Sequence, residues 1–226
     1  MMLATRATAE ELMDADDLDP ETYVAVVHDL ARVNTLTMAR RPTLNFLKAI
    51  DGRLRILDVG FGDGDMLRSI AKWAARSGRA VELVGIDLNP RSTLAAAGAT
   101  PPDFNIVYRT GDYAELAGQH WDVIISSLVA HHMTHDQLVA FLRFMDTTAQ
   151  KGWFINDLHR HGFAYRGFPL LARIMHWHPI VRHDGKLSVA RSYRPAEWLP
   201  ILQEAGISGA TVARVFPFRL CVTKTR

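Results

Sequence analysis

Cysteine is almost missing from this chain: Cys221 is the only one among 226 residues. A lone thiol excludes an internal disulfide and fits a reducing compartment. Also missing is any apolar run long enough to span a bilayer. The start, Met1-Met2-Leu3-Ala4, lacks the basic region and apolar stretch of a secretory signal, and the chain soon turns acidic at Glu10, Glu11, Asp14, Asp16, Asp17 and Asp19. A cytoplasmic protein without stable membrane insertion is therefore expected. Net charge is small too, with 26 basic residues against 24 acidic ones and a formal balance of +2. No polybasic run stands out, so nucleic acid is not an expected partner. Repeats and low-complexity segments are likewise absent. What remains is an ordinary globular composition, 48% hydrophobic and 22% charged, at a length suited to one α/β domain with a cap.

Residues 1–50 read as a helical cap on the rest of the chain. Thr8 is placed to cap a first helix, with Glu10 and Glu11 in its first turn. Val24, Val27, His28, Leu30 and Ala31 recur at helical spacing, and Thr43–Leu47 continues the pattern after Pro42. From residue 51 onward strands and helices alternate. Apolar runs at Leu54–Val59, Val81–Ile86, Phe104–Tyr108, Trp121–Ser126 and Gly152–Asn156 predict five strands, separated by helical stretches such as Asp136–Thr147. Such alternation implies a parallel sheet with right-handed crossovers. Residues 157–192 interrupt the rhythm for longer than a compact domain usually allows, so they read as a lid-like insertion. A helix at Pro195–Glu204 and two closing strands, Ala210–Phe216 and Phe218–Thr223, complete a seven-stranded, Rossmann-like doubly wound sheet whose last strand is antiparallel.

In such a sheet, ligands sit beyond the carboxyl ends of the strands. The turn after the first strand is Asp58-Val59-Gly60-Phe61-Gly62-Asp63-Gly64. Glycines there allow backbone angles closed to other residues and let a ligand approach the main chain. A dinucleotide turn would need a third glycine at position 65, which is Asp65, so a nicotinamide oxidoreductase is disfavoured. An acid at Asp58, inside the strand end, suits a ligand bearing an ammonium group.

That heptapeptide resembles motif I of the class I S-adenosylmethionine-dependent methyltransferases, and the strand order from residue 54 to 226 resembles theirs as well. The resemblance implies S-adenosylmethionine as cofactor and S-adenosylhomocysteine as product. Gly60, Gly62 and Gly64 would cradle the methionine and ribose portions, and Asp58 would orient the amino acid end. Asp87, ending the second strand, is placed for the ribose hydroxyls, with Leu88 against the adenine. Asp112, in Gly111-Asp112-Tyr113 after the third strand, would bind the adenine amino group, and Tyr113 and Ser127 complete the cofactor-binding set. Each acid alone would more often be a helix cap. Three acids after three successive strands argue for the cofactor.

Methyl transfer to a hydroxyl is helped by a base titrating near neutrality, for which histidine is suited. Nine of the ten histidines lie between His120 and His183. His132, after the fourth strand, is the first candidate base and His159, after the fifth, the second; His131 should point away if the loop stays extended. Ser126–His132 resembles the loop found in the ubiquinone and menaquinone biosynthesis branch, and Asn156–Arg160 with Arg182–Gly185 resembles small bacterial methyltransferases of polyketides and phenols. No metal is expected, because cysteine and carboxylate partners are lacking around His159-x-His161 and His176-x-His178. Tyr165, Phe168, Leu171, Ala172 and Met175 form a helical stripe that would roof the pocket. The expected reaction is O-methylation of a phenolic, polyketide or quinone-like small molecule, so the partner is an aromatic or lipidic acceptor. Methylation of an activated ring carbon and a non-catalytic cofactor-binding module are the alternatives. A homodimer is compatible with the sequence.

Overall fold

The structure, a computed structural model, describes residues 3–226; Met1 and Met2 of the expected cap lie outside it. Seven strands form one sheet: β1 (Leu54–Val59), β2 (Val81–Asp87), β3 (Ile106–Thr110), β4 (Trp121–Ser127), β5 (Ala149–Leu158), β6 (Thr211–Val215) and β7 (Arg219–Thr225). They lie in the order β3-β2-β1-β4-β5-β7-β6. β7 runs antiparallel to both of its neighbours and the other contacts are parallel. The topology is the Rossmann-like one the alternation of elements predicts.

The period-2 alternation of the strands divides the core into two layers. Leu57, Ile124, Trp153, Ile155 and Val222 face α5 (His135–Thr148) and α8 (Pro195–Glu204). Leu54, Ile56, Val123, Ile125 and Phe154 face the other side, with α2 (Arg41–Lys48), α3 (Asp65–Ser77) and Ala96 of α4 (Pro90–Ala99). The chain therefore reverses its side of winding between β1 and β4, which opens a crevice at their carboxyl ends.

Three boundaries differ from the sequence reading. β3 starts at Ile106, not at Phe104, because the Phe104 N–H closes a turn onto the Pro101 carbonyl before the chain joins the sheet. Thr8 caps nothing. The first helical turn is a short 3₁₀ segment, Leu12–Asp14, whose Leu12 and Met13 N–H groups donate to the Asp184 carboxylate at 3.0 and 2.9 Å. The first long helix, α1 (Pro20–Leu36), is capped instead by Asp19, which accepts from Thr22 N–H with Pro20 leading. The insertion holds two helices, α6 (Gly162–Ile174) and α7 (Pro179–Arg191), where a single roof helix is expected. His176 adopts φ 54° and Pro179 cannot continue the preceding helix, so the chain turns back.

The N-terminal helices are not one unit apart from the sheet. α2 lies on it, with Phe46 stacked on Phe154 of β5 at 4.9 Å. α1 instead packs its Val26 and Val33 with Ala172, Trp177 and Val181 of the insertion. Phe168 of α6 lies so close to Gly185 of α7 that a side chain there would overlap its ring. Among the described residues, no helix is long and apolar enough to cross a membrane.

Candidate active site

A cavity of about 1000 Å³ opens over the carboxyl ends of β1, β2 and β4 and runs under α1 and α6. That is the upper end of ligand-pocket sizes, with room for a nucleoside and a second molecule. Its cofactor end is built by the glycine turn. Gly60, Gly62 and Gly64 take φ of 76°, 57° and 76°, the left-handed region that glycine populates freely. A side chain on Gly60 would run into Val129, and one on Gly64 into the Tyr108 ring. α3 starts directly after the turn, its first N–H, that of Asp65, donating to Asp63 Oδ1 at 3.0 Å.

Asp87 joins this turn to the end of β2. One of its oxygens accepts the Gly62 N–H at 3.0 Å and the other the Asn89 N–H at 2.9 Å. Burial raises its pKa, while those hydrogen bonds act against the rise. A carboxylate oxygen can accept more than one hydrogen bond, and Asp87 lines the cavity. Leu88 lies at the rim, 74% exposed. Asp58 is buried in the cavity wall with Oδ1 unpartnered, and its pKa is pushed well above the carboxylate range by burial, then by the charges of Asp65 and Asp87. Ser127 Oγ and Asn34 Oδ1 are buried without partners as well. These three orphaned acceptors fit a ligand with N–H donors and positive charge, as the methionine end of S-adenosylmethionine provides. Asp65 is engaged elsewhere, accepting from Arg40 Nε at 2.7 Å and Asn34 Nδ2 at 3.3 Å.

Not every expected contact converges here. Asp112 is exposed and caps the short 3₁₀ turn Tyr113–Leu116 in a capping box with Glu115, outside the cavity wall. Gly111 and Tyr113 do line the wall, with the Tyr113 ring packed on Phe141 and Phe144. At Asp112 the plain capping role is the one the structure shows.

The histidines divide sharply. His132 lines the cavity and is 27% exposed, its Nδ1 3.0 Å from Asp14 Oδ2 and its Nε2 3.8 Å from Glu11 Oε2. His131 lines it too, against expectation. The loop after β4 is turned and not extended, the His132 N–H reaching back to the Val129 carbonyl at 2.9 Å, so strand alternation does not apply. His131 is almost wholly buried between Asp157 (Nδ1 to Oδ1, 2.7 Å) and Glu11 (Nε2 to Oε1, 3.6 Å). Burial pulls its pKa down, but the Asp157 charge and the hydrogen bonds to Asp157 and Glu11 override this and raise it to about 9. His159 does not reach the cavity. It extends the strand by a bridge to Tyr193, so that Leu158 faces inward and His159, on the opposite face, lies beside His161 at 5.6 Å. Its pKa is lowered by burial and by positive neighbours. His178 caps α7, accepting from Ile180 N–H, and His176 is exposed.

Sequence reading missed the acids of this cluster. Glu11 and Asp14 come from the acidic N-terminal stretch, Asp14 standing 118 positions before the His132 it meets, and Asp157 comes from the end of β5. Glu11, His131 and His132 each offer a ligand atom within 4.8 Å of one another, a spacing that could seat a metal ion. The pairs His159-x-His161 and His176-x-His178 form no such group among the described residues.

Residues 56–152 match the family described as "Methyltransferase domain". No curated protein matches the chain in sequence. The fold is similar to human N-acetylserotonin methyltransferase in complex with S-adenosylmethionine (TM-score 0.66, 16% identity, 97% of this chain and 60% of that one). It is also similar to plantazolicin methyltransferase in complex with S-adenosylhomocysteine (0.67, 14%, 93% and 92%). A third is the Synechocystis magnesium protoporphyrin IX methyltransferase with bound S-adenosylhomocysteine (0.54, 19%, 94% and 89%). The chain spans about 60% of the length of the first of these. Residues 56–152 thus match a methyltransferase-domain model, and the fold over nearly the whole chain is similar to that of methyltransferases solved with S-adenosylmethionine or S-adenosylhomocysteine.

Proposed function

We propose that the chain transfers the cofactor's methyl group to a hydroxyl of an apolar small molecule, phenolic, polyketide or quinone-like, seated under α1 and α6. The observation that carries this reading is the continuity of the cavity. One end holds the glycine turn, and the other is walled by Val26, Leu30 and Val33 of α1 and by Phe168, Leu171 and Ile174 of α6. An apolar wall with few polar groups binds a flat or aliphatic body.

His132 serves as the base. Its Nδ1 is held by Asp14, which fixes the tautomer and leaves Nε2 to take the proton of an acceptor hydroxyl as the methyl transfers. His131 cannot take that role at neutral pH, because its raised pKa keeps it protonated. Its imidazolium instead ties Glu11 of the cavity wall to the buried Asp157. The rest of the rate comes from holding the hydroxyl and the methyl group in line.

The reading is tested with a labelled-methyl assay over phenols, quinol precursors and polyketide acids. On an accepted substrate His132→Ala should lower kcat by about 10²–10⁴-fold with cofactor affinity kept. Unchanged turnover removes His132 from the mechanism. Absence of transfer to every hydroxyl acceptor overturns the reaction class.

A further inference from the structure

Arg219 is the one buried arginine without an anionic or carbonyl partner among the described residues. It opens β7 directly after the Phe216–Phe218 turn, pairs with Leu158 of β5, and is 2% exposed. Its Nη1 is buried with no hydrogen bond, and Nη2 reaches only Thr37 Oγ1, at 3.4 Å. No carboxylate oxygen lies within 4.0 Å of it. The other two buried arginines are satisfied: Arg160 pairs with Glu197 and the Ser192 carbonyl, and Arg191 donates to the carbonyls of Ala9, His131 and His132. Asp157 and Asp65 favour the Arg219 charge from a distance. Both are committed elsewhere, Asp157 to His131 and Asp65 to Arg40.

A guanidinium cannot shed its proton in a protein, and an unpaired buried charge is costly. Arg219 lines the same cavity as the glycine turn. Nη1 thus has no partner in the chain, and Nη2 has only the long contact to Thr37, in a residue that forms part of the cavity wall. The fork geometry of a guanidinium matches a carboxylate, which two parallel N–H donors grip at once.

We propose that Arg219 is the anchor for a carboxylate on the acceptor, which makes the substrate a hydroxylated, largely apolar acid. The inference rests on the transferase reading of this cavity and names the acceptor class within it. The cofactor's own carboxylate is the competing anion, and sheet order separates the two. Asp58 is the penultimate residue of β1, while the backbone of β7 is three strand spacings away through β4 and β5, about 14 Å at the usual strand separation. The cavity is polarised accordingly. Asp58 Oδ1 on β1, Ser127 Oγ at the end of β4 and Asn34 Oδ1 on α1 are unpartnered acceptors, whereas the β7 side supplies the Arg219 cation.

The test uses the full chain loaded with S-adenosylhomocysteine, titrated calorimetrically with hydroxyaryl carboxylates of one, two and three fused rings, each against its own carboxamide. At least one acid should bind ten-fold or more tighter than its amide. Arg219→Met should erase that preference with S-adenosylhomocysteine affinity unchanged, and Arg219→Lys, which keeps charge but not the fork, should restore part of it. Equal binding of acid and amide across the panel in the wild-type protein overturns the inference, whether or not the variants fold. A loss of S-adenosylhomocysteine affinity in Arg219→Met with the acid preference intact also overturns it, and assigns the residue to the cofactor. Failure of the transferase reading looks different: S-adenosylhomocysteine binds but no hydroxyl acceptor is methylated.

Discussion

Raising the pH should weaken this fold through a buried histidine, His131. Its imidazolium is held between Asp157 and Glu11 and titrates at about 9, against about 6.5 for an unfolded histidine. Because the folded value is the higher one, the stabilisation is fully present below pH 6.5 and is lost as pH rises toward 9. In that window the native state binds one more proton than the unfolded chain, so unfolding free energy falls with pH. A gap of this size corresponds to about 3 kcal/mol, a large fraction of the stability of a domain. Cys221 acts in the same direction only higher up, since burial raises its thiol to about 12 and the unfolded thiol titrates near 9. Asp58, whose pKa burial also raises, acts in the same direction, so the part owed to His131 is the difference between the wild type and a variant lacking the imidazole. The assay is a set of urea unfolding curves for the wild-type protein and His131→Gln. Between pH 6.5 and 8.5 the wild type should lose about 2–3 kcal/mol more than the variant, which is the less stable of the two at pH 6.5 and should show the shallower profile. A flat wild-type profile, or the same slope in both proteins, would refute the account of the His131 cluster.

Other expectations concern the cofactor end. Gly60→Ala places a side chain at φ 76° and against Val129. It should cost about 1–2 kcal/mol from the left-handed backbone alone, read by thermal melting, and should weaken S-adenosylmethionine binding at least ten-fold by calorimetry. Asp87→Ala leaves the Gly62 and Asn89 N–H groups unpaired. It should cost about 1–3 kcal/mol and lower cofactor affinity without unfolding the domain. Asp112→Ala removes only a cap and should leave cofactor affinity within about two-fold while costing about 1 kcal/mol. If Asp112→Ala loses as much affinity as Asp87→Ala, the capping assignment is incorrect.

The parts of the molecule legible in the sequence were those encoded locally. The run at Leu54–Val59, the glycines after it and the acid ending β2 are each specified by neighbours in the chain, and the structure has them in the expected places. The errors arose where tertiary contacts decide. His131 faces the cavity because a turn after β4 cancels strand alternation, and His159 faces away because β5 continues further than its apolar run suggests. Glu11 and Asp14 read as first-turn helix acids, and only the fold reveals that they meet His131 and His132. Arg219 carried no sequence signal at all. Its interest comes from the absence of a partner, which is a property of packing.

The central claim is that the glycine turn, Asp58 and Asp87 hold S-adenosylmethionine. It is tested most directly by calorimetric titration of the full chain with S-adenosylmethionine and, separately, with NAD. The account predicts saturable binding of S-adenosylmethionine at one site per chain, weakened in Asp87→Ala, and no heat from NAD. Binding of NAD without binding of S-adenosylmethionine would contradict it.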